Sequence, residues 1–450
     1  MYLRGIDANE ALAIANLEQA RAIYQEILDE LTASKDPSVN DKISVSYHNL
    51  GVVAQKQRRF DEAIAFCQKS LQICEDAGSF YNAAGSYHQL GVVAQEQRRF
   101  DEAIAFYQKS LQIYEDAGDF YNAAGDYQNL GIVAQEQRRF EEAIAFYQKS
   151  LQINEDAGSF YNAARAYHQL GMVAQEQRRF DEAVAFYQKS LQIKEDAGDL
   201  YSAAVSYHQL GMVAEEQRRF DEAIAFYQKS LQICEDAGDF YNAARAYHHL
   251  GIVAKEQRRF DEAIAFYQKS LQICEDAGDF YNAARAYHHL GIVAQEHRKF
   301  DEAIAFYQKS LQIFEDAGDL YNAASDYYQM GMVAQEQRRF DETIAFYQKA
   351  LQIYEQYKNF RYASMCLGRW GNVLEAQEKF REAVEIYIHV LAIDIEHNEE
   401  WIGWRIKNLG RMLKALRESQ FEAIWLEVTG EECAGEWRSA IWAASQESEE

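Results

Sequence analysis

Apolar residues recur along this chain in two interlocking helical rhythms. From Phe100, the positions Phe100, Ala103, Ile104, Tyr107, Ser110, Leu111 and Tyr114 fall at i, i+3, i+4, i+7, i+10, i+11 and i+14. That spacing predicts one packed face of an α-helix. Gly118 follows, suited to the left-handed residue that ends a helix. A second helical face is predicted from Tyr121, Ala124, Tyr127, Leu130, Gly131, Val133 and Ala134. Asp119 lies between the two, and the same slot holds Ser79, Ser159, Asp199, Asp239, Asp279 and Asp319. An oxygen there can accept the free N–H groups of the next helix. The onward link is short, Gln137-Arg138-Arg139. The pattern is a helical hairpin, and it is rewritten almost verbatim. Asp261–Phe300 departs from Asp221–Phe260 only in exchanging Lys255 for Gln295, Gln257 for His297 and Arg259 for Lys299.

One hairpin cannot bury both its faces, but stacked copies can, which predicts a solenoid. Gly131 and its equivalents (Gly51, Gly91, Gly171, Gly211, Gly251, Gly291, Gly331) sit inside a helix, where glycine costs about 1 kcal/mol against alanine. A cost repeated in every copy is expected to reflect close approach of the partner helix. Nine copies of about 40 residues occupy 44–398. Residues 1–43 hold a degenerate half-copy, in which Leu17, Ala20, Tyr24 and Leu28 match Phe60, Ala63, Cys67 and Leu71, with Pro37 and the polar run 34–41 filling a longer junction. Residues 399–450 read as a worn hairpin (401–417 and 421–428), a break between Gly430 and Gly435, and a last helix over 436–444. All six tryptophans lie at or after Trp370. This segment is expected to cap the stack; the alternative is a docking site for a second partner.

Composition narrows the partners. Pro occurs once, so helices can run unbroken. With 45 Lys+Arg against 71 Asp+Glu the net charge is −26, a sign that repels phosphate backbones and anionic lipid; neither nucleic acid nor a membrane surface is an expected partner. There is no 18-residue apolar run and no signal-like apolar stretch at the N-terminus. The six cysteines form no CxxC, and three of them share a slot filled elsewhere by Tyr, Asn, Lys or Phe. They read as free thiols of a reducing cytoplasm.

Tyr87-x2-Leu90-Gly91 followed by Ala103-x3-Tyr107 resembles the tetratricopeptide (TPR) pattern. Tyr stands for the usual Trp, Ala94 for a usual Tyr, the closing Pro is missing, and the period is 40 instead of 34. The longer junction is similar to that of kinesin light chains, Leu-Gly-Asn-repeat adaptors and long bacterial arrays. The resemblance covers about residues 44–398. It implies an all-α fold, a right-handed superhelix of hairpins that binds a partner protein or peptide in its concave groove and carries no catalysis of its own. It also implies that the Tyr127-type helix lines that groove. The charge clamp of chaperone-binding relatives needs an Asn where this chain has Val52, Val92, Ile132, Met172 or Ile252, so that ligand class is not expected.

No phosphate-binding loop of the GxxxxGK type, no GxSxG, no HExxH and no paired-Cys motif is present. Histidine is the remaining candidate: His48, His88, His168, His208, His248 and His288 share one slot, with His249 and His289 next door. A metal needs several ligands within about 2.0–2.1 Å of one point, whereas stacked helices keep axes about 8–10 Å apart. No metal or other cofactor is expected. The better reading is a recognition stripe that remains once the packed face of the helix is set aside. Its members, expected to contact a peptide, are Gln128, Asn129, Arg165, His168, Gln169, His208, Gln209, Arg245, His248, His249, Arg285, His288, His289 and Gln295. These slots vary among copies while the packed face does not. Two charged features read as structural. Arg58-Arg59 is balanced by Asp61 and Glu62, and Glu96, opposing the helix dipole, is expected to be offset by Arg99 at i+3. The competing functional reading is a sensor or regulatory subunit of a signalling or defence complex, with a STAND-type NTPase or a protease as partner.

Overall fold

The computed structural model describes residues 16–33, 39–397 and 399–446. Among the described residues it contains 22 α-helices and no strand. Part of the 34–41 junction, Pro37 included, lies outside them. The chain divides into two compact units, Met1–Phe226 and Tyr227–Glu450. The division passes through the helix Phe220–Ala237.

Each hairpin pairs an A helix with a B helix. In the first unit the A helices are Asn40–Lys56, Phe80–Glu96, Phe120–Glu136, Phe160–Glu176 and Leu200–Glu216. The B helices between them are Phe60–Ala77, Phe100–Asp116, Phe140–Asp156 and Phe180–Asp196. The helix Leu17–Ala33 precedes them, burying Ala20, Tyr24 and Leu28 against Leu50 and Val53. In the second unit the A helices Phe240–Glu256, Phe280–Glu296, Leu320–Glu336 and Phe360–Ala376 alternate with the B helices Phe260–Ala277, Phe300–Asp316, Phe340–Gln356 and Phe380–His397. Three further helices follow, Ile402–Ala415, Glu418–Thr429 and Gly435–Gln446. Their Leu409, Met412, Phe421, Trp425 and Ile441 share one core with Tyr387, Ile388 and Leu391. Among the described residues no helix is long and apolar enough to cross a membrane. All six cysteines are buried and unpaired.

The predicted B face is the packed one: Ala103, Tyr107 and Ser110 are fully buried, and Leu111 and Tyr114 nearly so. The predicted A face holds at Ala124, Leu130, Val133 and Ala134 but fails at Tyr121, which is 65% exposed in the first turn. The buried tyrosine of the B helices from Phe100–Asp116 onward, and Cys67 in Phe60–Ala77, explain the repeated glycine. A Cβ on Gly131 would lie 2.5 Å from Cε1 of Tyr147 in the partner helix, well inside contact distance. An aromatic ring has taken the space that a side chain would need.

Two turns alternate. After the B helices from Phe60–Ala77 to Phe300–Asp316, Gly118 and its equivalents adopt the left-handed conformation (φ 70° at Gly118), and Lys358 takes that place after Phe340–Gln356; Asp119 accepts from the Asn122 N–H at 3.1 Å, capping the next helix as expected. Ser79 and Ser159 make no such cap; Ser79 instead donates to Asp41 at 2.7 Å, because that carboxylate lies within reach of its short hydroxyl. After the A helices up to Leu320–Glu336 the left-handed residue is an arginine, as at Arg138 with φ 59°, and after Phe360–Ala376 it is Glu378. The N–H groups of Arg138 and Arg139 close that turn on the Gln135 and Ala134 carbonyls, each at 2.8 Å. A side chain in this conformation costs about 1 kcal/mol that glycine avoids. Arg138→Gly should therefore stabilise its hairpin by up to about 1 kcal/mol, read as a higher urea midpoint at unchanged slope.

Arg99 does not offset Glu96. It pairs with Glu102 at the start of the next helix, three residues on, where the carboxylate also meets the positive end of the helix dipole. Glu96 instead accepts from Gln55 of the preceding copy. This bond recurs: Gln95 donates to Glu136 at 3.1 Å while its carbonyl accepts the Tyr107 hydroxyl at 2.9 Å. Each such chain ties a B helix, its own A helix and the next A helix together.

Candidate functional site

The exposed side of the A helices is less open than its polar sequence suggests. Gln128, His208 and His248 are buried, at 7%, 5% and 5% exposure, and so are not the free groove donors expected of them. The reason is the 40-residue step: the second stripe slot falls between consecutive A helices, and its ring packs edge-on against the buried tyrosine of its own hairpin. His168 lies 5.5 Å from Tyr187, His248 5.6 Å from Tyr267 and His288 5.7 Å from Tyr307. Gln295 is also spoken for, donating to Glu336 at 3.0 Å and accepting from Tyr307 at 3.1 Å. Arg245 reaches back to Asn242 of its own helix at 3.3 Å. Asn129, Gln169, Gln209 and Arg285 are half-buried, and of the predicted stripe residues only Arg165 is fully exposed.

In the second unit the four neighbouring histidines do gather. His248 and His289 lie 4.7 Å apart by ring centres, His289 stacks on Tyr267 at 5.3 Å, and His249 on Tyr227 at 5.2 Å. His288 is held by Asp326, fully buried, at 2.7 Å. Desolvation, reinforced by His289, Arg285, His249 and His288, keeps His248 well below the usual histidine range. His289 is lowered in the same way. In the first unit burial lowers His48 to about 4, with His88 adding to the effect, and His168 to about 4, with Lys194 adding to it. These rings are neutral at pH 7.

The consequence has a definite sign. A histidine whose folded pKa is depressed stabilises the fold fully above its unfolded pKa, about 6.5. That contribution is lost as pH falls from there toward 4. Asp326, raised by desolvation, acts in the opposite sense, but it is one group against four. Thermal or urea stability should fall by several kcal/mol between pH 6.5 and 4, and replacing His48 and His168 by Gln should flatten that slope.

The first unit holds a polar cavity of about 290 Å³ on the A-helix side, lined by His48, His88, Gln89, Tyr114, Gln128, Asn154 and Arg165 among others. Gly85 and Gly125 open it. They occupy the first stripe slot, which carries Arg165, Val205, Arg245, Arg285 or Ser325 in other copies, and a Cβ on Gly125 would meet nothing within 4 Å. Two buried polar atoms of its lining residues lack hydrogen-bond partners: His48 Nδ1 and Gln128 Nε2. Unpartnered groups of this kind cost about 1–3 kcal/mol each in a dry interior, so they mark a place prepared for a polar ligand or water. The sequence signal was the glycine pair in a slot of larger side chains, together with Asn154 in a slot of Cys, Tyr and Phe. In that same slot Lys194 is buried and bonded to Ser206 Oγ at 2.9 Å, its ammonium pulled down to about 8 by desolvation.

Comparison with known families decides the kinship. The tetratricopeptide repeat model matches residues 42–116, 121–196, 162–236, 201–276, 242–316 and 320–396. The chain belongs to the tetratricopeptide repeat family. Solved structures similar to this TPR array include the apo quorum sensor NprR from B. thuringiensis, at 16% identity and TM-score 0.55 over 78% of this chain and 97% of that one. The apo form of RapI matches at 13% identity and TM-score 0.61, covering 80% of this chain and 98% of RapI. A STAND protein with a tetratricopeptide repeat sensor from Pyrococcus horikoshii matches at 17% identity and TM-score 0.55 over 74% of this chain and 52% of its own. At these identities the likeness is one of fold. No curated protein sequence matches the chain.

Proposed function

We propose that this TPR protein is a cytoplasmic, non-catalytic interaction scaffold that holds a partner protein or peptide along the A-helix face. The polar cavity at Gly85 and Gly125 is the principal anchoring point. The observation that carries this reading is the coincidence of a polar cavity, opened by two glycines, with the unpartnered His48 Nδ1 and Gln128 Nε2 in its lining. A peptide backbone supplies both a carbonyl for Gln128 Nε2 and an N–H for His48 Nδ1. Arg165, exposed at the rim, adds charge-assisted pairing with a ligand carboxylate.

Filling the cavity tests this directly. Gly125→Phe places a ring into open space and should leave helicity and melting temperature unchanged within about 0.5 kcal/mol. Capture of the native partner by the immobilised chain should drop at least about tenfold. Undiminished capture by a folded variant moves the anchoring point elsewhere. If the partner recovered is an NTPase or a protease, the scaffold is the regulatory subunit of that machine.

A further inference from the structure

The second unit holds a different cavity, and its chemistry goes beyond the A-helix groove. It measures about 320 Å³ and lies between the last A helix and the helix Ile402–Ala415, lined by Tyr328, Met365, Gly368, Arg369, Asn372, Trp401, Trp404 and Arg405. Its walls are apolar and aromatic, and its polar groups are almost all donors. Arg369 lines it beside Tyr328, and among the described residues no carboxylate forms an ion pair with it. Asn372, also in the lining, accepts the Tyr387 hydroxyl at 2.7 Å through its side-chain carbonyl.

Beneath them Arg405 is 1% exposed. Its Nε donates to Asp394 at 2.8 Å and its Nη2 to the Ser364 hydroxyl at 3.0 Å. Nη1, packed against Gly368, has no partner. Asp394 balances one guanidinium; the other is unbalanced, in a chain whose net charge is −26. Trp404, part of the lining, stands 58% exposed.

We infer that this cavity binds an apolar group bearing a carboxylate, either the last residue of a peptide with an apolar side chain or a free aryl or alkyl carboxylic acid. The carboxylate would take the fork of Arg369 and the Asn372 amide, in the field of Arg405. The apolar body would lie against Trp401 and Trp404. A cationic ligand would face only donors, and a neutral one would leave Arg369 unpaired.

The full chain reports on this site by itself, because all six tryptophans lie at or after Trp370. Three probes are titrated by tryptophan fluorescence and calorimetry: an acetylated tripeptide Gly-Gly-Phe with a free C-terminus, the same peptide amidated, and 3-phenylpropionate. Binding of the free-acid peptide at least about tenfold tighter than the amide supports the inference and points to a peptide terminus. Binding of 3-phenylpropionate alone supports it and assigns a free acid. Equal binding of acid and amide overturns it, as does no binding of any probe. Arg369→Gln should weaken the bound acid at least about tenfold, and Trp404→Ala, at an exposed position, should weaken it without loss of helicity. Unchanged affinity in both folded variants also overturns it. Gly125→Phe, remote in sequence, should leave this titration unaffected, so a failure here and a failure of the groove reading are distinguishable.

Discussion

Arg405→Ala should destabilise the second unit by about 3–5 kcal/mol, the largest effect expected of any single replacement in the chain. The guanidinium is buried beside a buried carboxylate, and its removal strands Asp394, fully buried, with Ser364 as its remaining named partner at 2.5 Å. A charge taken out of water and then deprived of its counter-ion is far costlier than the pair was favourable. Urea unfolding followed by tryptophan fluorescence measures this, since the indoles sit in the affected unit. The double replacement Asp394→Leu with Arg405→Met should recover most of the loss, because it removes both charges and keeps the volume. If the single variant is as stable as the parent, the ion pair is not the linchpin of the last hairpin and the helix that follows it.

Gly251→Leu comes next. A Cβ alone would lie 2.6 Å from Cε1 and 2.7 Å from Cδ1 of Tyr267, and leucine brings three more carbons. Tyr267 is completely buried, with no empty space to swing into, so the hairpin must open by some tenths of an ångström or more. The expected cost is about 1–3 kcal/mol at least. Because each hairpin is held by its neighbours alone, hydrogen exchange should quicken across the helices Phe240–Glu256 and Phe260–Ala277 and stay slow at Phe380–His397. Uniform loosening along the chain would contradict the nearest-neighbour picture.

The architecture was readable because packing repeats with the chain. The face from Phe100 to Tyr114, the hairpin turns at Gly118 and the close approach at Gly131 are all dictated by a 3.6-residue rhythm and by residues that act within one copy. The site was less readable because it depends on contacts between copies. Nothing within residues 240–256 says that His248 will be enclosed by His289 and Tyr267; that follows from how the next A helix lies against it. The Arg99–Glu96 expectation failed for a related reason: Glu102 offered the same spacing on the other side, at the favourable end of a helix. Tyr121 failed because apolar periodicity counts a first-turn residue as packed, and here that residue stands exposed in copy after copy, as at Tyr161, Tyr201 and Tyr241. Arg405 was invisible, being one charged residue in a region without a repeat to compare it with.

The hydrogen-bonded chain through Tyr107, Gln95 and Glu136 has a consequence for how such a gene changes length. Excising Asp101–Phe140 in frame would bring Tyr147 opposite Gly91 and within reach of Gln95, and would bring Glu176 to the far end of the same glutamine, each in the role its predecessor held. The junction would be as well made as the two it replaced. Only the slots that differ among copies would notice: His88, now bonded to Asp126 at 2.6 Å, would face Ala166 instead. Unequal recombination between near-identical copies is thus almost silent for folding while it reshuffles what the cavity presents, so a lineage can rewrite its binding surface by losing or gaining whole repeats without passing through an unfolded ancestor.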